Sequence, residues 1–244
     1  MPRTLFISDL HLGPDLPRTT AGFFRFLQEE ATGAEALYVL GDLFEVWVGD
    51  DNHNDYNDAA VAAFRQLSDT GTRLWFLHGN RDFLLGQAFA EACGGQLLGE
   101  AEVISLYGLP VLIMHGDQLC TLDEKYMAFR AQSRDPAWQA MMLEKPLDQR
   151  LMIAAMWRAQ SKSMNANKPE NIMDVTPDEV VRVLSEAGVS TLLHGHTHRP
   201  MEHAVALAND QGRRLVLGDW REETGETVIA VADEQGLRLE PWRY

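Results

Sequence analysis

The sequence predicts an α/β protein built around a parallel sheet, and three observations carry that prediction. Apolar runs recur that break off in polar residues, amphipathic stretches separate them, and the spacing suits strand, crossover helix and strand again. "RTLFISDLH" (3–11), "EALYVLGDLF" (35–44) and "RLWFLHGNRD" (73–82) each read as a buried strand running into a polar loop. "TTAGFFRFLQEEATG" (19–33) and "NDAAVAAFRQLSDTG" (57–71) carry helix-like apolar spacing and stop at a glycine. Sheets of this kind bind ligands beyond the carboxyl ends of their strands, so the polar strand ends are where chemistry is expected.

Further along, "VISLYGLPVLIMH" (103–115) reads as two strands joined at Gly108 through Pro110. From Leu122 to Met164 the pattern is helical and rich in Met and Trp, which marks 121–168 as a helical insertion, or lid, within one domain spanning 1–244. Thr176, Pro177 and Glu179 predict a helix start with a capping box, and Gly188 its end. A strand then leads into "LLHGHTHRP" (192–200), and 202–242 reads as antiparallel strands with turns at "NDQG" and "DEQG".

Composition narrows the partners. A net charge of -15 argues against nucleic acid as a partner, because phosphate backbones attract basic surfaces. Between Thr121 and Lys168, however, eight basic residues face five acids, so this segment is net positive inside an acidic protein. No apolar run reaches the roughly 18 to 20 residues of a membrane span, and a strand begins by Thr4, so a cytoplasmic location is expected. Cys93 and Cys120 are the only cysteines, and two isolated thiols read as buried small apolar residues.

The strand ends collect Asp9, His11, Asp42, Asn80, His115, His196 and His198, all oxygen or imidazole donors. If the ends of neighbouring strands converge, these donors suffice for two divalent cations bridged by one carboxylate, with Asp42 the natural bridge. In "LLHGHTHRP" strand geometry would put His194, His196 and His198 on one face if the extended conformation continued, whereas a bend at Gly195 would turn only His196 and His198 into a shared pocket; His194 is expected as a partly buried histidine donating a hydrogen bond behind it. His53, His78 and His203 are expected in surface or supporting positions.

"DLH", "GDLFE", "GNRD", "HGD" and "GHTH", in this order, resemble the five signature blocks of the calcineurin-like metallophosphoesterases. The resemblance implies a four-layer α/β/β/α sandwich with a dimetal centre. By that mapping Asp9, His11, Asp42 and His198 hold one ion, and Asp42, Asn80, His115 and His196 the other. Such a pair of cations lowers the pKa of water and neutralises phosphoryl oxygens as an in-line attack develops. Donors without thiolate suit Mn or Fe better than structural zinc, and two Mn ions are the expected cofactors.

The chain departs from the superfamily at "GNRD", where Arg81 replaces the histidine most members place near the leaving group. An arginine does not surrender a proton at neutral pH but clamps phosphate oxygens bidentately. That suits a leaving group that is already a weak base, so Arg81 points to a phosphoanhydride. In the insertion, Trp138, Met141, Met142, Leu143, Leu151, Met152, Met156 and Trp157 exceed what short helices bury among themselves, as expected where acyl chains enter beside an anionic head group.

With "GDLFEVWVGDD", "GNRDFL" and "SKSMNANKPENIMDV", the resemblance narrows to the branch of the family that hydrolyses UDP-diacylglucosamine in lipid A synthesis, at the cytoplasmic face of the inner membrane. It implies that Asn80, Arg81 and His196 act in catalysis. It also implies that Asp123, Ser161, Asn165 and Lys168 contact the head group together with these three. Two rival readings remain at this stage: a nucleotide or cyclic-nucleotide phosphodiesterase on the same fold, and a non-catalytic scaffold module.

Overall fold

The computed structural model describes residues 2–165, 174–208 and 210–244. Along the chain β1 (Thr4–Ile7), α1 (Pro17–Phe26), β2 (Ala36–Leu40), α2 (Asp55–Asp69), β3 (Arg73–Leu77), α3 (Gln87–Cys93) and β4 (Gln96–Leu97) alternate as expected. A hairpin of β5 (Ala101–Leu106) and β6 (Leu109–Met114) follows. The helices α4 (Glu124–Ser133), α5 (Pro136–Leu143) and α6 (Leu147–Asn165) come next, then α7 (Pro177–Ala187) and β7 (Thr191–His194). The chain closes with β8 (Met201–Ala206), β9 (Gln211–Val216), β10 (Glu226–Asp233) and β11 (Gly236–Arg243).

Local sequence explains the helix ends. Pro17 opens α1 in the turn where its missing N–H costs nothing. The Asn54 side chain caps α2 by accepting from the Tyr56 and Asn57 amides. At α7 the expected capping box does not form. The Thr176 side chain makes no cap bond, because its hydroxyl accepts from Thr121 at 2.7 Å and Glu179 turns to Arg182 instead.

The strands form two sheets, and the parallel run that the alternation suggested lies within the first. A six-stranded sheet runs β11-β10-β1-β2-β3-β4, with β1 to β4 parallel; a five-stranded sheet runs β5-β6-β7-β9-β8, with β6, β7 and β9 parallel. Side-chain alternation explains the layering. In the first sheet Leu5, Ile7, Leu37, Val39, Leu74 and Phe76 face outward onto Phe23 and Phe26 of α1, Phe64 of α2 and Phe89 of α3. The opposite face presents Phe6, Leu40 and Leu77 to Val111, Ile113, Leu193 and Leu215 of the second sheet. The outer face of that sheet, Leu112, Met114 and Leu192, is covered by Val180 and Leu184 of α7. The result is the four-layer α/β/β/α sandwich, and each fully buried phenylalanine in it contributes about 1.5–3 kcal/mol.

Helices α4 to α6 divide their apolar residues between two environments. Met142 and Ala154 are buried, and Trp138, Phe129 and Trp157 pack onto the main core through Phe83. Met141, Leu143, Leu151, Met152 and Met156 remain exposed. Arg150, only 3 % exposed, pins α6 to the loop after β2 by donating to Asp51 and to the Val48 carbonyl.

Candidate active site

The strand ends that converge belong to both sheets, which corrects the expectation of neighbours in one. Asp9, Asp42 and Asn80 follow β1, β2 and β3, while His115 follows β6 and His196 and His198 follow β7. The bend expected at Gly195 falls just after it, at His196 and Thr197, with His196 and His198 in left-handed conformations. Chain β7 ends at His194, and a side chain at Gly195 would collide with Ser8 and Asp9, whose atoms lie 2.2 and 2.3 Å from the position of a Cβ.

Backbone conformation singles out the same residues. Asp9, His11, Asp42, His196 and His198 all adopt positive φ between 50° and 66°. This region is sparsely populated by non-glycine residues and costs of order 1 kcal/mol or more at each, so the surrounding structure must impose it. Among the described residues the only other non-glycine instance is Tyr107, in the β5–β6 turn.

Two groups of donors face one another across Asp42. On one side His11 Nε2 lies 3.3 Å from His198 Nε2 and 3.9 Å from Asp42 Oδ2, and His198 Nε2 lies 3.4 Å from Asp9 Oδ1. On the other, Asn80 Oδ1 is 3.0 Å from His115 Nε2 and 2.8 Å from His196 Nδ1, and Asp42 Oδ1 is 3.7 Å from His115 Nε2. The ring atoms are aimed from behind. His115 Nδ1 bonds the Leu40 carbonyl at 2.8 Å, and since a carbonyl only accepts, that nitrogen carries a proton and the bond fixes the ring with Nε2 turned toward Asn80 and Asp42. Glu45 stands 3.3 Å behind His11 Nδ1 and Asp219 3.7 Å behind His198 Nδ1.

The carboxylates are equally constrained. Asp9 Oδ2 accepts from the Ser8 hydroxyl and the His196 amide, leaving a buried Oδ1 without a hydrogen-bond partner. Asp42 Oδ1 accepts from the Arg81 amide at 2.8 Å. Buried Asp82, in the "GNRD" block, gathers the Gly79 and Leu43 amides and so ties the β3 loop to the β2 loop.

Electrostatics show a site that attracts positive charge. Burial opposes ionisation of Asp9, yet His198, His115 and His11 hold its carboxyl far below the usual range. Burial pushes Asp42 up, and nearby Asp82 and Asp9 add to it, against the pull of His115 and His11. Burial works against charge on His198, but Asp9, Asp219 and Asp42 raise it to about 9. Burial and the neighbouring His115 lower His196 to about 3. Paired imidazole nitrogens 3.3 Å apart, an orphaned carboxylate oxygen and two buried carboxylates form an arrangement that divalent cations would satisfy, and the donor set fits two of them.

The donor cluster opens into a cavity of about 770 Å³. Arg81, Lys125, Arg158 and Arg199 line its polar part. Trp47, Val48, Phe83, Leu84, Phe129, Met142, Ala154 and Trp157 line the remainder, a size and character that suit an amphipathic ligand. Asp123 also lines it while capping α4 through the Tyr126 amide. Lys168 lies outside the described residues, and so do the side chains of Ser161 and Asn165, whose positions fall on α6.

His194 is fully buried, with Nδ1 2.8 Å from the Gly195 carbonyl and Nε2 3.3 Å from Arg214, and burial, aided by Arg214, lowers it to about 3. His53 pairs with Asp58, His78 bonds the Leu85 carbonyl, and His203 sits in β8, all as supporting residues. Both cysteines are buried. Three of the basic residues in the helical segment, Arg130, Arg134 and Arg150, are already paired with Asp117, Glu100 and Asp51, and of the three only Arg150 lines the cavity. Sequence reasoning missed Glu45, Asp219, Asp82 and Asp117. The first and last two lie inside the recognised blocks, and Asp219 follows the end of β9.

Residues 2–200 match the family model described as calcineurin-like phosphoesterase, and the chain belongs to that family. More particularly, it is 50% identical over 239 residues to a protein of Cellvibrio japonicus named UDP-2,3-diacylglucosamine hydrolase, covering 98% of each chain. Proteins of the same name from Chromohalobacter salexigens and Hahella chejuensis are each 50% identical, over 241 and 236 residues. The match covers 99% and 97% of this chain and 98% and 96% of theirs.

Proposed function

We propose that the chain hydrolyses the pyrophosphate of UDP-2,3-diacylglucosamine, with water attacking the α-phosphorus to give UMP and 2,3-diacylglucosamine 1-phosphate. One observation carries the reading: the donor cluster and the apolar chamber are parts of a single cavity. A nucleotide phosphodiesterase would have no use for the chamber, and a scaffold module would not retain the complete donor set.

In this reading Asp9, His11, Asp42 and His198 would hold one divalent cation, and Asp42, Asn80, His115 and His196 the second. Mn is favoured for both by the mixed oxygen and nitrogen donors. Bound there, the two ions would supply acidified water and neutralise charge on the phosphoryl oxygens.

The chain's own residues do the rest. The Arg81 guanidinium, whose buried Nε has no hydrogen-bond partner, clamps the phosphate oxygens. Asn80 and His196 orient the same group. Asp123 and Lys125 flank the head group, to which Ser161, Asn165 and Lys168 are assigned by family resemblance. The walls of Trp47, Phe83, Phe129 and Trp157 exclude water around the acyl chains. Segment 121–168 acts as the lid that completes this chamber within one domain.

Oxygen-18 water tests the site of attack. The label is expected in UMP, and label in the lipid phosphate overturns the assignment. The same reading places the protein peripherally on the cytoplasmic face of the inner membrane. Supporting this are exposed Leu122, Met141, Leu143, Leu151, Met152 and Met156, with Lys145 in the same segment. Among the described residues no helix is long and apolar enough to cross a membrane. Cosedimentation with vesicles containing anionic lipid is expected, and its absence would reject attachment.

A further inference from the structure

We propose that Arg134, at the joint between α4 and α5, is a positioning residue: by donating to the Gly79 carbonyl it fixes the peptide that aims Asn80 and Arg81, so the helical segment sets the geometry of the centre it covers. The inference rests on the cavity being the pyrophosphate site. Its structural half does not.

Gly79 is buried and constrained on its other sides. Its amide donates to Asp82 Oδ1 at 2.8 Å. Its Cα is packed so closely on Asp42 that an added Cβ would lie 2.1 Å from Asp42 Oδ1. The next two residues are the amide and guanidinium of the site, and the Arg81 amide bonds Asp42 Oδ1. The remaining handle is the carbonyl, which accepts from Arg134 NH2 at 2.9 Å. A buried carbonyl deprived of its partner carries an uncompensated desolvation cost, which drives the loop toward another position.

Arg134 is itself immobilised. Its Nε lies 3.0 Å from Glu100, its NH2 also reaches Asp117 at 3.4 Å, and its guanidinium sits 5.6 Å over the Phe83 ring. Asp117, two residues after His115, is buried and also receives the Tyr126 hydroxyl at 2.5 Å and Arg130 Nε at 3.0 Å. Tyr126 stacks on His196 with ring centroids 6.0 Å apart. Nη2 serves both the carbonyl and Asp117 while Nε is ion-paired with Glu100, so the three partners take two separated guanidinium nitrogens, which a lysine's single nitrogen does not supply. Arg130 shares Asp117 and Glu100 but has no bond to Gly79, which makes it an internal control.

The experiment compares Arg134→Lys with Arg130→Lys, using melting temperature, hydrogen exchange of peptides covering 79–85, and kcat and KM on UDP-2,3-diacylglucosamine with Mn. Arg134→Lys is expected to speed exchange at 79–85 and lower kcat about tenfold to a hundredfold, the scale of an ångström's misplacement. KM should move less. Arg130→Lys is expected to lose thermal stability to a similar degree while exchange at 79–85 and kcat stay within about twofold. Unchanged exchange at 79–85 in Arg134→Lys overturns the proposal, as does faster exchange with kcat intact, or an equal loss of kcat in Arg130→Lys. A wild-type protein that fails to cleave the lipid would sink the functional reading, while the exchange result would still decide the role of Arg134.

Discussion

The sandwich end and the helical segment solve different problems. At the sandwich end, each donor sits on a turn whose backbone is fixed by strand pairing and by buried acceptors, and several occupy left-handed conformations. In α4 to α6, few backbone contacts reach the sandwich, and arginine anchors with an aromatic chain of Phe83, Trp138, Phe129 and Trp157 hold the segment in place. The contrast teaches that the donor cluster is held by main chain, whereas the walls of the apolar chamber are held by side chains that are easier to exchange.

The largest expected break in that contrast is Asp42→Asn. Losing the shared carboxylate should lower activity at least about a thousandfold, the scale of removing a preorganised electrostatic group or more. The melting temperature of the cation-free protein should not fall, because Asn preserves the shape and removes a buried charge that burial already disfavours. Steady-state assays with calorimetric melting check both halves.

Arg81→Ala should retain cation binding and lose about two to three decades of kcat. Near-normal activity would remove the argument for an anhydride. On the other side of the comparison, Trp157→Ala should raise KM for the diacylated substrate about tenfold and leave kcat nearly unchanged, the scale of losing one large aromatic contact. Chain-length series of substrates would sharpen this, since the effect should vanish for a deacylated analogue.

The smallest expected effect concerns protons. His198 in the cation-free protein is raised to about 9, so below that pH its imidazole carries a proton that an arriving cation must displace. Apparent Mn affinity should therefore rise with pH toward about 9, and binding near neutrality should release protons. Calorimetry in buffers of different ionisation enthalpy measures the number released, and zero would contradict the placement of His198.

Legibility in the sequence followed the same division. The strand runs, the donors at their ends and the bend beside Gly195 were readable, because strand alternation and polar termini leave local signatures. That the strands lie in two facing sheets was not readable from alternation, since β6 and β7 are buried on both sides and their apolar runs do not say which layer covers which face. The failed capping box at Thr176 depended on Thr121, more than fifty residues away. Glu45 and Asp219 behind the imidazoles, and Asp117 beneath α4, acquire meaning only once distant segments meet. The basic excess of the helical segment misled in part, because charge counts do not reveal that Arg130, Arg134 and Arg150 already have carboxylate partners inside the protein.

The left-handed turns carry one more implication. Glycine at Asp9, His11 or His198 would relax the backbone while deleting a donor, so the most active sequence is not the most robust one at these positions. A lineage released from the need for turnover would be expected to drift toward small, permissive residues there first. The fold would survive that drift as a sturdier but inert shell.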